Sequence, residues 1–309
     1  MEEQKLEILK EILGDSYRSG DEYLFYCPYC KHHKKKFSVN IKNGAKCWVC
    51  DTSTPNLRRL VRKFGNYNHL TEWDKYDGRE DISEFDNLFA KEEPIERVFL
   101  KLPSEFVSLA NKNLSLTSLP AKKYLNKRGI TRKDIVRWKI GYCTSGQYAG
   151  RVIIPSFDED GDLSYFIARS YNNSWKKYMN PPVPKNIIFN ELYLDWEKDL
   201  ILTEGVFDSI VAGANSVPVL GSTLREGSRL FQKIVRNDTP VFFAFDKDAH
   251  KKETRLIKKF LSYGIEVYKI DTDGYNDIGE MSKEEFLKRK KGSVFINNDN
   301  YLLYQANFM

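Results

Sequence analysis

Four cysteines near the N-terminus constrain the fold more than any other feature of the sequence. They stand as two close pairs, Cys27 with Cys30 and Cys47 with Cys50, in a C-x2-C-x16-C-x2-C pattern. Four thiolates at this spacing can surround one Zn²⁺ ion tetrahedrally, because each two-residue gap lets a pair bind from a tight turn. The pattern predicts one structural zinc ion, and a closed four-thiolate site leaves no open position for catalysis.

Composition and charge leave a broad class of function open. The chain has 309 residues, of which 41% are hydrophobic and 30% are charged, so it can form two or three globular domains. Its formal net charge is +6, which fits a nucleic-acid partner as well as an ordinary solvated surface. The fifth cysteine, Cys143, is interpreted as a buried small hydrophobic residue.

The sequence contains neither a membrane-spanning nor a secretory pattern. No stretch of about 18 apolar residues occurs, and the first residues form an acidic amphipathic segment without a basic region. Paired cysteines at metal-binding spacing also favour a reducing compartment over disulfide formation. A cytoplasmic protein without a membrane partner is therefore expected.

Basic and aromatic residues alternate around the cysteines. Aromatic rings can stack on unpaired bases while lysines contact phosphates, so this surface is a candidate for binding single-stranded nucleic acid. Its principal candidates are Lys34, Lys35, Lys36 and Trp48. Phe37 and Trp48 also fit the core of a very small domain, and that interpretation is preferred for each of them individually. His32 and His33 are interpreted as surface residues because four cysteines already complete the site.

Differences in composition divide the chain into segments. An acidic stretch separates the cysteine-containing region from a longer folded region, and it is interpreted as a linker. The predicted segments are a zinc-binding domain at 1–66, the acidic linker at 67–100, a basic subdomain at 101–198, a βα subdomain at 199–291 and a C-terminal tail at 292–309.

The second half of the chain alternates between short apolar runs and helical patterns. Predicted strands cover 200–203, 216–220, 240–245 and 266–270, and predicted helices cover 206–211, 226–236 and 251–262. This rhythm predicts right-handed βαβ units with a parallel sheet, within a chain of mixed α+β class. The aromatic residues Trp138 and Trp175 are expected in the core or at its edge.

Carboxylates follow the predicted parallel strands at the end where open α/β sheets place their sites. In chain order they are Glu204, Asp246 and Asp248, and Asp277. Clustered carboxylates repel one another unless a cation neutralises them, and oxygen ligands of this kind suit Mg²⁺ or Mn²⁺. Helix caps and turns unrelated to a metal are the alternative interpretation.

These motifs, in this order, resemble those of the Toprim domain found in primases, topoisomerases and some nucleases. The matching motifs are Glu204–Asp208 (EGVFD), Val219–Thr223 (VLGST), Asp246–Asp248 (DKD) and Asn276–Asp277 (ND). Upstream blocks are similar to the basic half of the bacterial, DnaG-type primase core. These blocks are Tyr124–Thr131 (YLNKRGIT), Ile140–Tyr142 (IGY), Gly150–Pro155 (GRVIIP), Ile167–Arg169 (IAR) and Lys177–Pro181 (KYMNP). The cysteine module resembles the primase zinc-binding domain.

The resemblance implies synthesis of short RNA primers on single-stranded DNA from ribonucleoside triphosphates, catalysed by two divalent cations. It assigns metal binding to Glu204, Asp246 and Asp248, with support from Asp208 and Asp277. It also implies a role in replication beside a replicative helicase, with an unknown contact region.

The basic residues of the matching blocks are expected to hold phosphates of the template or the nucleotide. They are Arg128, Arg169 and Lys177, with Arg151 and Asn180 as lesser candidates; Lys177 is also expected to act in catalysis. Arg128 could instead be an ordinary residue at a helix C-terminus beside Gly129. Lys177 could belong to a solvated lysine pair with Lys176.

The chain departs from the usual bacterial pattern in two respects. Cys30 stands where bacterial primases usually have a zinc-binding histidine. The resulting four-cysteine site resembles those of phage primases. About twenty residues follow the Toprim-like region, so a phage or plasmid enzyme without the helicase-binding domain is expected. The rival functions are another Toprim enzyme, such as a nuclease, and a non-catalytic zinc protein that binds single-stranded DNA in recombination or repair.

Overall fold

A computed structural model describes residues 1–77, 100–172, 174–221, 224–275 and 277–306, with the side chain of Asp299 excluded. The chain divides into two compact units, Met1–Leu88 and Phe89–Met309. Most of the predicted acidic linker and the motif residues Ser222, Thr223 and Asn276 lie outside the described residues.

The first unit is a small antiparallel sheet flanked by helices. Its elements are α1 (Glu2–Leu13), β1 (Tyr17–Ser19), β2 (Glu22–Phe25), β3 (Phe37–Asn40), β4 (Gly44–Cys47), β5 (Ser53–Thr54), α2 (Arg58–Phe64) and α3 (Tyr67–Asp77). The strands lie in sequence order. Phe25 and Phe37, paired across β2 and β3, are fully buried, together with Leu9 of α1 and Leu60 of α2. This core confirms the interpretation of Phe37 as a core residue.

Helix α3 packs as part of this unit, although it falls in the segment interpreted as a linker. Trp73 of α3 is buried in the core of the first unit. Asp74 accepts two hydrogen bonds from the buried Arg58 guanidinium, at 2.7 and 2.8 Å. Such a two-point pair fixes both the position and the orientation of a helix. The linker prediction therefore stays a prediction for residues after 77.

The first half of the second unit is a four-stranded antiparallel sheet. Its elements are β6 (Val107–Ser108), α4 (Leu119–Lys127), α5 (Arg132–Arg137), β7 (Gly141–Cys143), β8 (Arg151–Phe157) and β9 (Leu163–Ser170). Strand β8 is buried at almost every position. Trp138 and Cys143 are buried, which confirms both interpretations, whereas Trp175 is 93% exposed and the core prediction for it is wrong.

The second half contains the predicted parallel sheet. Its elements are β10 (Leu200–Thr203), α6 (Val206–Ala212), β11 (Ser216–Pro218), α7 (Arg229–Asn237), β12 (Val241–Ala244), α8 (His250–Ser262), β13 (Val267–Lys269), α9 (Lys283–Lys291), β14 (Val294–Ile296) and α10 (Asn298–Ala306). The strand order is β11-β10-β12-β13-β14, with β14 antiparallel and the others parallel. The expected α+β class is confirmed.

The segment predicted to be a C-terminal tail contains regular structure. Strand β14 pairs with β13, and α10 follows it directly. Tyr304 of α10 donates a hydrogen bond to the buried carboxylate of Glu253 at 3.0 Å. Among the residues that the structure describes, no helix is both long and apolar enough to cross a membrane.

Candidate metal centre and cationic cleft

Strand order places the carboxylates at a switch point of the sheet. Strand β10 pairs with β11 on one side and with β12 on the other, so the chain leaves β10 and β12 in opposite directions. Glu204 follows β10 directly, and Asp246 follows the end of β12 by two residues. In open α/β sheets, the crevice at such a point binds ligands.

Five carboxylates form two overlapping groups of three. Ligand atoms of Glu204, Asp246 and Asp248 lie within 4.8 Å of one another, and so do those of Asp208, Asp246 and Asp277. Asp246 belongs to both groups. If each group held one cation, Asp246 would be a ligand shared by both.

Backbone amides orient three of these carboxylates. Gly205 donates its N–H to Asp208 Oδ2 at 2.8 Å, and Gly279 donates to Asp277 Oδ1 at 2.6 Å. Ile278 donates to Asp246 Oδ1 at 3.3 Å. A Cβ on Gly205 or Gly279 would lie only 3.0 or 2.9 Å from the carboxylate that the glycine binds. Glycine therefore permits the close approach of backbone and acid at both positions.

The carboxylate groups hold more negative charge than their surroundings neutralise. Burial, followed by the nearby Asp246, raises the pKa of Glu204 to about 7, and burial followed by Asp277 raises that of Asp246 to about 6. Burial and its contact with Asp277 raise the pKa of Asp208 to about 8. Glu204 Oε1 is buried and has no hydrogen-bond partner among the described residues. An oxygen-rich site with excess negative charge fits a hard divalent cation.

Cationic side chains face this site across a cavity of about 440 Å³. Besides the carboxylates of Glu204, Asp208, Asp246 and Asp277, the polar residues that line the cavity are Arg128, Arg169, Tyr178, Asn180 and Lys185. The Arg128 guanidinium lies 4.6 Å from the ring centre of Phe207 and 5.1 Å from that of Tyr124. The Arg169 guanidinium lies 4.5 Å from the ring centre of Tyr178. The cavity thus has an anionic wall and a cationic wall.

The structure brings some of the sequence-predicted basic residues to this cavity and not others. Arg128, Arg169 and Asn180 line it, and Asn180 Oδ1 accepts a hydrogen bond from the Ala168 amide at 3.2 Å. Arg151 and Lys177 are not among the residues that line it: Arg151 is buried and donates to the Lys176 carbonyl at 3.0 Å, and Lys177 is exposed.

Sequence analysis missed Lys185, which lines the cavity although it belongs to none of the quoted motifs. It sits in a proline-rich connection, Asn180-Pro-Pro-Val-Pro-Lys185. In the sequence, only the run of prolines indicates that this connection is stiff enough to hold a side chain in place.

The four cysteines of the first unit come together as the spacing predicts. Their sulfur atoms lie within 4.8 Å of one another, with Cys27 to Cys50 and Cys30 to Cys47 both at 3.9 Å. Each pair is followed by a residue in the left-handed conformation, Lys31 and Asp51, which closes the turn around the sulfurs. Four converging thiols suit zinc.

The surface near the cysteines exposes aromatic rings beside lysines. Trp48 is 64% exposed, so the preferred core interpretation of this residue is wrong. Lys46 Nζ lies 5.1 Å from the ring centre of Trp48, and Lys35 Nζ lies 5.3 Å from that of Tyr26. Lys34 and Lys36 are exposed.

Comparison with known proteins identifies relatives that are named DNA primase. No family model matches the chain. The chain is 22% identical to a DNA primase of Helicobacter pylori over 87% of its length, and 26% identical to a DNA primase of Clostridium acetobutylicum over 90%. It spans 57% and 55% of these relatives, that is, about half of the length of the curated relatives it matches.

Solved structures give the same result for the fold. A crystal structure of the zinc-binding and RNA polymerase domains of Aquifex aeolicus primase matches 95% of this chain with a TM-score of 0.50 and 20% identity, and 84% of that chain is covered. A DnaG primase catalytic domain bound to single-stranded DNA matches 62% of this chain, and 76% of its own length is covered, with a TM-score of 0.52 and 19% identity. The chain has the fold of these primase domains.

Proposed function

We propose that this protein is a DNA primase, which synthesises short RNA primers on single-stranded DNA from ribonucleoside triphosphates. The observation that carries this proposal is the pair of carboxylate groups sharing Asp246, which face arginines across one cavity. Similarity to proteins named DNA primase over most of the chain supports it. The activity belongs to the nucleotidyltransferases, since a primase extends a chain by transferring nucleotides.

The proposed metal ligands are the two carboxylate groups. Glu204, Asp246 and Asp248 would hold one divalent cation, and Asp208, Asp246 and Asp277 a second. When bound, the two cations would offset the negative charge on the attacking and leaving oxygens. The backbone amides of Gly205, Ile278 and Gly279 keep three of these carboxylates oriented before any ligand arrives.

The cationic wall would bind the phosphates. A 3′-oxygen forms a new bond to the α-phosphorus of the incoming nucleotide, the bond from that phosphorus to pyrophosphate breaks, and the hydroxyl proton passes to solvent. Arg128 and Arg169 would stabilise the negative charge of this transition state, because each guanidinium is already held against aromatic rings. With its oxygen occupied by the Ala168 amide, Asn180 can offer its amide hydrogens to nucleotide or template.

The first unit would hold zinc and contact the template. Four thiolates at Cys27, Cys30, Cys47 and Cys50 form a closed site, so its part is structural. The exposed Trp48 with Lys46 offers a stacking ring beside a cation, as proteins that bind single strands do. A replicative helicase is proposed as a further partner. Phage or plasmid origin and the domain boundaries remain predictions.

The test supplies purified protein with single-stranded DNA, ribonucleotides and Mg²⁺, and resolves labelled products by length. Short RNA that depends on template is the expected result. Glu204→Gln should abolish it while zinc content stays at one ion per chain, and the exposed Glu197→Gln should leave it unchanged.

Other outcomes would overturn the proposal. Cleavage of the template would identify a Toprim nuclease. Tight template binding without RNA, in an assay where a known primase is active, would identify a single-strand-binding protein instead.

A further inference from the structure

The lysine that sequence analysis missed stands apart from its cationic neighbours in the cavity. Arg128 and Arg169 are both held against aromatic rings. Lys185 lines the same cavity, and among the described residues no ion pair or ring contact engages its ammonium group. An uncommitted cation in a cavity that also holds carboxylates is available to an anionic ligand.

The backbone on both sides of Lys185 is anchored. On the N-terminal side, the Met179 amide donates to the Ala168 carbonyl at 3.0 Å, and Asn180 accepts from the Ala168 amide. On the C-terminal side, Asn186 Oδ1 accepts from the Arg229 amide at 3.0 Å, at the start of α7. The position of the lysine is therefore set by strand β9 on one side and by the start of helix α7 on the other.

Prolines stiffen the short connection between these anchors. Pro181, Pro182 and Pro184 fix the φ angle at three of the four positions between Asn180 and Lys185. A connection built this way loses little entropy when a ligand binds, because its conformation is already restricted. The charge of Lys185 is in this sense preorganised towards the cavity, although the side chain itself is exposed.

The chemistry of the two cationic types suggests which part of a ligand each would bind. A guanidinium presents a planar fork that suits two oxygens of one phosphate, whereas an ammonium acts as a point charge with rotatable donors. The half-buried carboxylates mark where the reacting phosphorus must lie. Phosphates further along the ligand would extend away from the carboxylates, and the exposed Lys185 lines the same cavity.

We propose that Lys185 binds the β- and γ-phosphates of the incoming ribonucleoside triphosphate and is a positioning residue that favours triphosphates over monophosphates. This inference rests on the proposed function for its biological meaning, but the binding that it describes can be measured without synthesis. Lys185 would remain in contact with the pyrophosphate as that group leaves.

The first test measures equilibrium binding of ATP and AMP to the full-length protein in Mg²⁺. Lys185→Ala should weaken ATP binding by about ten-fold, the effect of losing one charge-assisted contact, and leave AMP binding unchanged. Lys185→Arg should keep ATP binding within about three-fold of wild type, because the charge is retained. Lys198→Ala is the matched control, since Lys198 is an exposed lysine that pairs with Asp195 and lies outside the cavity lining.

The second test compares steady-state RNA synthesis by the same variants. Lys185→Ala should raise KM for the ribonucleotides with little change in kcat and no change in template affinity. Equal loss of ATP and AMP binding, unchanged ATP binding, or a loss of template affinity alone would overturn the inference. A wild-type protein that binds ATP through Lys185 but makes no RNA would overturn the primase proposal and leave the triphosphate site standing.

Discussion

The carboxyl groups of Asp208 and Asp277 lie within 4.8 Å of each other beside the parallel sheet. Burial first, and this contact second, raise the pKa of Asp208 to about 8. Asp208 is thus a carboxylic acid near neutral pH in the absence of a cation. A divalent cation that binds here must displace a proton, so cation binding and pH are linked.

Mg²⁺ affinity should therefore rise as pH increases from about 6 to about 8, the range of the raised pKa values of Asp246, Glu204 and Asp208. Titration calorimetry at pH 6, 7 and 8 measures this directly, with proton release falling as affinity rises. Asp208→Asn should flatten the pH dependence. The partly exposed Asp195→Asn should not, since its hydrogen bond with Lys198 holds the pKa of Asp195 below the ordinary carboxyl value and so below this range. Equal affinity at pH 6 and pH 8 would contradict the linkage.

The same groups set the stability of the metal-free protein. Their folded-state pKa values are raised, so the folded state retains protons that the unfolded carboxylates have already lost. Stability without Mg²⁺ should fall as pH rises from the ordinary carboxyl range to about 8, and added Mg²⁺ should reverse this fall. Thermal melting measures both effects, and it must be done without a chelator, which would also remove zinc from the cysteines.

Asp246 should be the most sensitive of the carboxylates, because it belongs to both groups of three. Asp246→Asn removes charge from both cation positions, and loss of several kcal/mol of charge stabilisation corresponds to a fall in RNA synthesis of about 100-fold or more. Asp248→Asn should cost less, since Asp248 is exposed and belongs to one group. Asp273→Asn is a nearby control that belongs to neither. Equal losses for Asp246 and Asp248 would argue against a shared ligand.

The sequence predicted the parallel sheet well because its signals are local. The run 240–245 is apolar at every position, as a strand buried on both faces must be, and β12 occupies Val241–Ala244. The placement of Glu204 and Asp246 at one edge then followed from the rule that ligands bind at carboxyl ends. The second carboxylate group, formed by Asp208, Asp246 and Asp277, was harder to predict from the sequence, because helix α6 must bring Asp208 close to Asp277.

Features that depend on long-range packing could not be predicted from the sequence. Lys185 is held at the cavity by anchors on both sides, and one of these joins Asn186 to the amide of Arg229, which is 43 residues away in the chain. Trp48 and Trp175 were expected to be buried because tryptophan usually is, but exposure depends on what packs over the ring, and nothing in the local sequence specifies that. The strand β14 was missed because its antiparallel pairing to β13 follows a helix and has no hairpin turn to mark it.

Zinc should hold the first unit together. Cys47 is fully buried beside Phe37, and its thiolate would complete the four-sulfur site. Cys47→Ser should reduce bound zinc to below one ion per chain and expose the first unit to limited proteolysis, while the second unit stays resistant. Cys143→Ala is the matched control, because Cys143 is equally buried but lies in the second unit. Unchanged zinc content in Cys47→Ser, measured by elemental analysis, would exclude the four-cysteine site.

Trp48 should affect template binding without affecting folding. Its ring is 64% exposed and lies beside Lys46, so its loss removes a stacking surface and leaves the core of the first unit intact. Base stacking contributes about 1–3 kcal/mol per base, so Trp48→Ala should weaken binding of single-stranded DNA by about ten-fold. Zinc content and melting temperature should not change.

Two further variants test whether the aromatic ring itself binds the DNA. Val49→Ala shortens the neighbouring residue, which is 50% exposed, and should leave DNA binding unchanged because it carries no ring. Trp48→Phe keeps an aromatic face and should retain most of the affinity. Fluorescence anisotropy with a labelled oligonucleotide separates the four proteins. If Trp48→Ala binds as tightly as wild type, the exposed tryptophan does not stack on the template. If Trp48→Ala both weakens DNA binding and lowers the melting temperature, Trp48 stabilises the fold, and the loss of binding does not identify it as a binding residue.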